Sequence, residues 1–480
     1  MPDERRGKTV CTTCHRVEMA RVYKTGLTMT SRPARRLPRP ATLARGACWL
    51  LASALVSAHA AEPDADEAWN LHGQATYIRQ FKPAFTSPYA GPHSLRGERE
   101  ASYSFTASVF AGWRPWAGGE VYLNPELASG QPLSGLNGLG GFTNGEMARS
   151  SGPHPTLYRA RLFLRQTWGT GGGREARESG PNQLAGAVDR DRWVLTAGNL
   201  SVTDIFDNNA YNHDPRTQFM NWSLLTHGAY DFAADARGYS WGVALERYWG
   251  DWALRAGRFI QPVRPNQQSL DLRILQHYGD QVELERGHTL LGDERPGRVR
   301  VLAFRSRAVM TRYADALALA ARTGGVPSLD AARGGAQVKY GVGLNVEQAV
   351  SAHVGLFARA SWADGGTETY AFTEIDRSVS AGALIKGGAW QRADDTLGIG
   401  WARNSLSRPH RQFLAAGGMG FFLGDGKLNY RPEQVLELFY NLRLHKYLDV
   451  ALNWQHIRHP GYNADRGPVN FYALRLHASF

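Results

Sequence analysis

The sequence predicts an all-β fold, a transmembrane antiparallel β-barrel of about 16 strands with one short loop helix. Three observations predict it. Apolar and polar residues alternate with period two again and again along the chain. The one long apolar run, roughly residues 47–58, is too short for a spanning helix, which needs about 20 residues. The chain also ends in an alternating segment closed by an aromatic residue, Phe480. A chain that enters a bilayer without spanning helices must close its backbone hydrogen bonds in a barrel.

The apolar run reads as part of a leader. Arg32, Arg35, Arg36, Arg39 and Arg45 form a basic region, residues 47–56 an apolar one, and Ala58-His59-Ala60 a small-x-small cleavage site. Residues 1–60 are therefore expected to be removed, leaving 61–480 as a single barrel domain. Residues 1–60 hold 11 Lys and Arg against 3 Asp and Glu, so most of the net charge of +12 leaves with them and about +4 remains. The basic balance thus argues little for nucleic acid as a partner. All three cysteines, Cys11, Cys14 and Cys48, lie in the same segment. The remainder has neither disulfides nor thiolate metal sites. Cys11-Thr12-Thr13-Cys14-His15 matches the c-type haem pattern, but it precedes the cleavage site, and Met29 is an alternative start. No cofactor and no metal are expected.

The alternation is clear in residues 102–113. Tyr103, Phe105, Ala107, Val109, Ala111 and Trp113 share one face, and Ser102, Ser104, Thr106 and Ser108 the other. In residues 157–168, Tyr158, Ala160, Leu162, Leu164 and Trp168 oppose Arg159, Arg161, Arg165 and Thr167. One such strand would also suit a soluble sandwich. Recurrence favours the barrel. Further candidates are 69–81, 119–127, 192–202, 239–249, 252–260, 281–289, 298–307, 340–348, 353–362, 378–386, 396–404, 417–423, 435–444, 448–456 and 471–480. Seventeen candidates, in a class whose strand number is even, imply roughly 16. Gly250-Asp251, Asp364-Gly365-Gly366 and Gly424-Asp425-Gly426 carry turn chemistry, while 128–155 and 204–224 are long separators. Tryptophans near strand ends, among them Trp113, Trp116, Trp168, Trp193, Trp249, Trp252, Trp362, Trp401 and Trp454, suggest two girdles at the headgroup levels. Alanine-rich Asp315–Arg322 predicts the loop helix.

In the last segment Tyr472, Leu474, Leu476, Ala478 and Phe480 share a face opposite Arg475 and His477. Phe480 is the expected assembly signal, read by the barrel assembly machinery. The final fifty residues resemble the carbohydrate-selective porin family (OprB-like). The resemblance rests on Pro432-Glu433 before Leu436-Glu437-Leu438-Phe439-Tyr440, then Leu448-Asp449-Val450, Trp454-Gln455-His456-Ile457, Pro460-Gly461 and the closing Leu474-Arg475-Leu476. Leu195-Thr196-Ala197-Gly198-Asn199 and Thr369-Tyr370-Ala371-Phe372-Thr373-Glu374 extend it over most of 69–480. It implies a 16-stranded outer-membrane barrel that passes sugars by passive diffusion, with carbohydrate solutes and outer-membrane lipid as partners. Some members carry a longer segment before the first strand; here strand one follows cleavage closely, so neither a helical addition nor a plug is expected. Monomer and trimer stay open.

Polar strand faces should line the lumen. Arg159, Arg161, Arg165, Arg298, Arg300 and Arg359 supply donors there, and Glu283 and Glu285 acceptors, a mixture suited to sugar hydroxyls. The plainer reading is that these charges pair with one another. Tyr122 and Phe357 offer ring faces for stacking on a pyranose. The segment 204–216 is expected to fold inward and narrow the pore, with Asp207, Asn208, Asn209 and Arg216 at the constriction. Asp204, Asp207, Asn209 and Asp214 miss the EF-hand spacing for calcium. Two rivals remain: a channel for anionic solutes or exported polysaccharide, and an outer-membrane barrel hydrolase using Ser201, Asp204 and His213. No G-x-S-x-G nucleophile elbow supports the hydrolase.

Overall fold

The computed structural model describes residues 66–149 and 152–480; the expected leader, its haem-type motif and the cleavage site lie outside the described residues. Sixteen strands form the wall: β1 (Trp69–Lys82), β2 (Glu100–Trp116), β3 (Gly119–Gln131), β4 (Thr156–Arg177), β5 (Gly186–Leu200), β6 (Ser240–Trp249), β7 (Trp252–Ile260), β8 (Tyr278–His288), β9 (Gly297–Ala308), β10 (Gln337–Ala349), β11 (Val354–Ala363), β12 (Arg377–Gly387), β13 (Arg392–Ser405), β14 (Glu433–His445), β15 (Leu448–Arg458) and β16 (Val469–Ser479). Each pairs with its sequence neighbours, and β1 pairs with β16 to close the cylinder. Closure leaves no strand edge unpaired. At the seam Gly73 and Phe480 exchange two backbone hydrogen bonds of 2.9 Å. The Phe480 ring lies where a Gly73 side chain would begin: a Cβ there would sit 2.3 Å from it.

Sixteen of the seventeen strand candidates are strands. The exception is 417–423, which lies inside a loop. Its alternation comes from burial there: Phe422 packs edge-on against Phe142, its N–H donates to Glu374, and its carbonyl accepts from Gly138. Three α-helices are present among the described residues, α1 (Trp222–Leu225), α2 (Tyr313–Thr323) and α3 (Arg408–Ala415). The expected helix is α2. The sequence reading missed α3 because its apolar residues are few; it is set by its Ser407 cap, whose Oγ accepts from the His410 N–H.

Loops after odd-numbered strands are long and turns after even-numbered strands are mostly tight, as between Trp249 and Trp252. The outer face is aliphatic, with Leu71, Val109, Val243, Leu254, Val301, Leu344 and Leu452 exposed. Aromatics bound this belt at both ends. Trp69 faces Trp113, Trp168 faces Trp193 and Trp249 faces Trp252 near the short turns. Tyr77 stacks near Tyr103, and Tyr340 lies 5.8 Å from Trp362, near the long loops. This is the two-girdle outer-membrane pattern.

The hydrophobic core lies within the lumen, toward the long-loop side, and is built from loop side chains packed on inward-facing wall residues such as Phe163, Phe304 and Phe439. Phe142, Trp222, Phe232, Phe372 and Phe422 form one aromatic cluster there. Beside it α2 and α3 meet over His410, whose ring stacks on Tyr313 at 4.3 Å. His410 Nδ1 lies 2.9 Å from Asp376 and Nε2 3.5 Å from Glu374. Burial alone would lower the imidazole's pKa, but the two carboxylates raise it to about 9. A folded value above the ordinary 6.5 means the ion cluster stabilises fully below about 6.5 and is lost as pH climbs through about 9. Proteolysis of the 406–432 loop is expected to accelerate over that alkaline range, and His410→Gln should abolish the pH dependence. A profile that stays pH-dependent in the variant would remove His410 as its source.

Candidate pore constriction and solute cavity

The wall turns an unusual number of charged and amide side chains inward, and these need partners wherever water is excluded. The loop 201–239 supplies many of them. Asp204 takes a bidentate pair from Arg161 at 2.6 and 2.7 Å. The Asp207 N–H donates to Glu283 at 2.7 Å, while its carboxylate accepts from Arg359 at 2.8 Å and Asn345 at 2.7 Å. Asn209 donates to Asn345 and the Ala210 N–H to Glu347, each at 2.7 Å. Arg216 reaches Glu126 and Glu146. Arg475 donates to the carbonyls of Pro215 and Gln218. Further on, Met220 and Asn221 donate backbone N–H groups to Glu437, Asn221 donates to Gln455, Asn404 donates to Ser223, and Lys339 pairs with Asp231 at 2.7 Å. The loop is thereby tied to nine strands, β3, β4, β8, β10, β11 and β13–β16, and crosses the lumen.

Asp207 is the centre of this crossing and is fully buried. Burial would raise its carboxyl, but Arg359 and then His227 outweigh it and hold the pKa below the usual range. His227 Nε2 lies 3.3 Å from Asp207, yet burial pushes that imidazole down to about 4, so Arg359 is the counter-charge.

The wall residues singled out from sequence fall into three groups. Arg161, Arg300, Arg359, Glu283 and Glu285 turn inward and are already paired. Arg300 sits 2.7 Å from Glu285 and 3.2 Å from Glu347, and Arg255 bridges Glu283 and Glu285 at 2.9 and 3.0 Å. Arg165 and Arg298 turn inward in looser pairs, Arg165 donating to the Asn182 carbonyl and standing 3.5 Å from Glu120, and Arg298 standing 3.6 Å from Glu285. Arg159 is a correction: it lies on the outer face, its guanidinium 5.1 Å from the Trp241 ring. Asn124 pairs with Arg161 and Pro125 with Arg159, so Ala160 is an extra residue and the parity of β4 flips there. Of the loop residues, Asp207, Asn209 and Arg216 are buried as anchors, and Asn208 is exposed to the lumen. Tyr122 and Phe357 offer no free ring face: Arg165 and Phe163 cover Tyr122, and Phe219 packs on Phe357. Asp204 and Asp207 answer to different arginines. Among the described residues no group of three or more His, Cys, Asp or Glu side chains is placed to hold a metal. Ser201 Oγ meets Thr203 at 2.9 Å and no hydrogen bond joins it to His213 among the described residues, so the hydrolase relay is not assembled.

Sequence reasoning missed the open space. A cavity of about 420 Å³ lies between the inward loop, the wall of β4–β7 and the tip of the β4–β5 hairpin. Arg165, Arg192 and Arg255 face it with Glu120, Glu246 and Asp204, beside Tyr248. Arg192 lies 4.2 Å from the Tyr248 ring centre. The tip, residues 178–185, folds back under the barrel: Asn70 donates to the Gln183 carbonyl, the Ala185 N–H donates to Glu67, and the Leu184 N–H donates to the Tyr122 hydroxyl. Gly171, Gly172 and Gly173 permit the fold-back, all with positive φ, at two register shifts between β4 and β5. The three glycines in a row were the one sequence signal for it.

Residues 101–480 match the family described as carbohydrate-selective porin, OprB family. No curated protein matches the chain. Among solved structures, the high-pH structure of Pseudomonas putida OprB is similar at 16% identity and a TM-score of 0.65, covering 86% of this chain and 94% of that one. The low-pH structure of the same protein gives a TM-score of 0.45 at 14% identity, covering 86% and 93%. The outer membrane channel DcaP of Acinetobacter baumannii gives 0.47 at 11% identity, covering 86% and 97%. At these identities the likeness speaks for the fold alone.

Proposed function

The chain belongs to the OprB family of carbohydrate-selective porins, and from that premise we propose that sugars cross it through the cavity between the inward loop and the β4–β5 tip. The protein is an outer-membrane channel and not an enzyme. The cavity carries the reading of the route. Its volume of about 420 Å³ falls within the ~300–1,000 Å³ of small-molecule pockets. Guanidinium donors and carboxylate acceptors both line it, which suits neutral hydroxyls better than a uniformly basic lining would. Arg165 is the residue from the sequence list with the clearest approach to this route; Arg161, Arg300 and Arg359 act by holding the loop.

Three further parts of the reading accompany the route. Residues 1–60 serve as a leader removed on export, outer-membrane lipid covers the aliphatic belt, and the strand ending in Phe480 is the segment the assembly machinery recognises.

Single-channel recording with hexose titration tests the route. The wild type is expected to show saturable block of the ion current by sugar. Tyr248→Ala should weaken that block with only a modest rise in conductance, since Tyr248 anchors none of the loop. Unchanged block in Tyr248→Ala would move the sugar path elsewhere, and block by phosphate but not by hexose would favour the anionic-solute rival.

A further inference from the structure

We propose that the outer face of β7–β13, at its long-loop end, is a docking surface for the phosphate headgroup of an anionic lipid. Arginines inside this barrel are nearly all paired with carboxylates, as Arg161, Arg255, Arg300 and Arg359 show. On this stretch of the outer face, Arg258 apart, they are not. Arg305, Arg377 and Arg403 are exposed, and among the described residues no carboxylate stands within 4 Å of any of them, nor of nearby Arg307.

The registers place these groups in one row. Arg258 pairs with Asp280, Asp280 with Arg305, and Arg305 with Tyr340. The Tyr340 ring meets Trp362, Trp362 is in register with Arg377, and Arg377 with Ser405, two residues beyond Arg403. Nearby acids are already engaged. Asp280 takes both arms of Arg258 at 2.7 and 2.8 Å, Asp364 accepts the N–H groups of Tyr340 and Gly366, and Asp376 turns inward to His410.

The row lies within three residues of the strand ends, level with the long-loop aromatic girdle, so it sits at headgroup depth. Directly below it the face is aliphatic, with Val282, Val301, Val342 and Val379 exposed. Guanidinium forks bind phosphate in bidentate fashion, the girdle rings suit the polar–apolar boundary, and the belt accepts acyl chains. Continuity of arginines with an acyl-binding belt commits the site to a lipid rather than to free phosphate. Arg305 and Arg377 stand three strand spacings apart, roughly 14 Å, a span that suits a headgroup carrying more than one phosphate.

The test uses the full-length protein in vesicles of phosphatidylcholine doped with a diphosphorylated glucosamine-based lipid, and native mass spectrometry after extraction. Wild type should retain the phosphorylated lipid. Arg305→Gln/Arg377→Gln/Arg403→Gln should bind it roughly a hundredfold more weakly, about a factor of five per arginine, while its single-channel conductance stays wild-type and so shows an intact barrel. Arg247→Gln/Arg286→Gln, which alters arginines beside Trp193 and Trp252 at the short-turn end, should retain the lipid like wild type. Equal retention by the triple variant overturns the proposal. So does undiminished lipid retention in the presence of excess inorganic phosphate together with equal binding of that phosphate alone, or equal retention of the same lipid stripped of its phosphates.

Discussion

Arg359→Ala is expected to widen the channel by releasing the inward loop. The Arg359 guanidinium is buried and makes more bonds to the loop than any other wall side chain discussed above. It donates to the Asp207 carboxylate at 2.8 Å, to the Asp207 carbonyl at 3.1 Å, to both oxygens of Asn212, and to the Leu224 carbonyl at 3.0 Å. Alanine would leave the Asp207 carboxylate buried without its counter-charge, and breaking a buried pair from one side costs about 3–5 kcal/mol. The wall itself does not depend on this contact, because β11 keeps its ladders to β10 and β12. The strain should therefore fall on the loop and not on the barrel. Planar-bilayer recording should show conductance several-fold above wild type and a noisier open level. Arg359→Lys should fall between, since one ammonium cannot serve Asp207, Asn212 and Leu224 together. Wild-type conductance and noise in Arg359→Ala would mean the loop is held independently of this residue.

Replacing the β4–β5 tip, residues 178–185, with a two-residue Asn-Gly turn is expected to have the second-largest effect, this time on sugar. The tip forms the floor of the cavity through Asn182, Gln183 and Leu184. It is held by side chains rather than by the barrel's ladders, so its removal should leave melting nearly unchanged. Sugar-dependent block should weaken by an order of magnitude or more and conductance should rise. The two variants differ in signature. Loop release alters the open level at once, whereas loss of the floor is read chiefly in sugar titration. A tip-deleted channel with undiminished sugar affinity would exclude the floor from the binding path.

The wall was legible in the sequence because lipid on one side and polar lumen on the other enforce period two on every strand. Two failures mark where that rule stops. Residues 417–423 alternate because a loop segment buried among other loops has two differing sides as well, and nothing local separates that from a strand. Arg159 was placed inside because strict parity was carried across Ala160, and a one-residue bulge leaves no compositional trace. The inward charges were legible by parity, and so was the inward folding of 204–216 from its polar and aromatic content. Which of those charges would be consumed as anchors was not, since Asp207 meets Arg359 across 152 residues of chain. The cavity was least legible of all. It is a remainder, the volume left after loop and hairpin are seated.

The seam between Gly73 and Phe480 has a consequence for how the chain could be rearranged. Because β16 returns to β1 at the short-turn rim, the cylinder has no structurally privileged first strand. A circular permutant with Phe480 joined to residue 66 by a short linker, and new ends opened in the exposed turn at Gly250-Asp251, would keep all sixteen ladders. The permutant is expected to keep the Phe480 ring packed on Gly73. Closure of the cylinder would then be separable from the order in which its strands are joined.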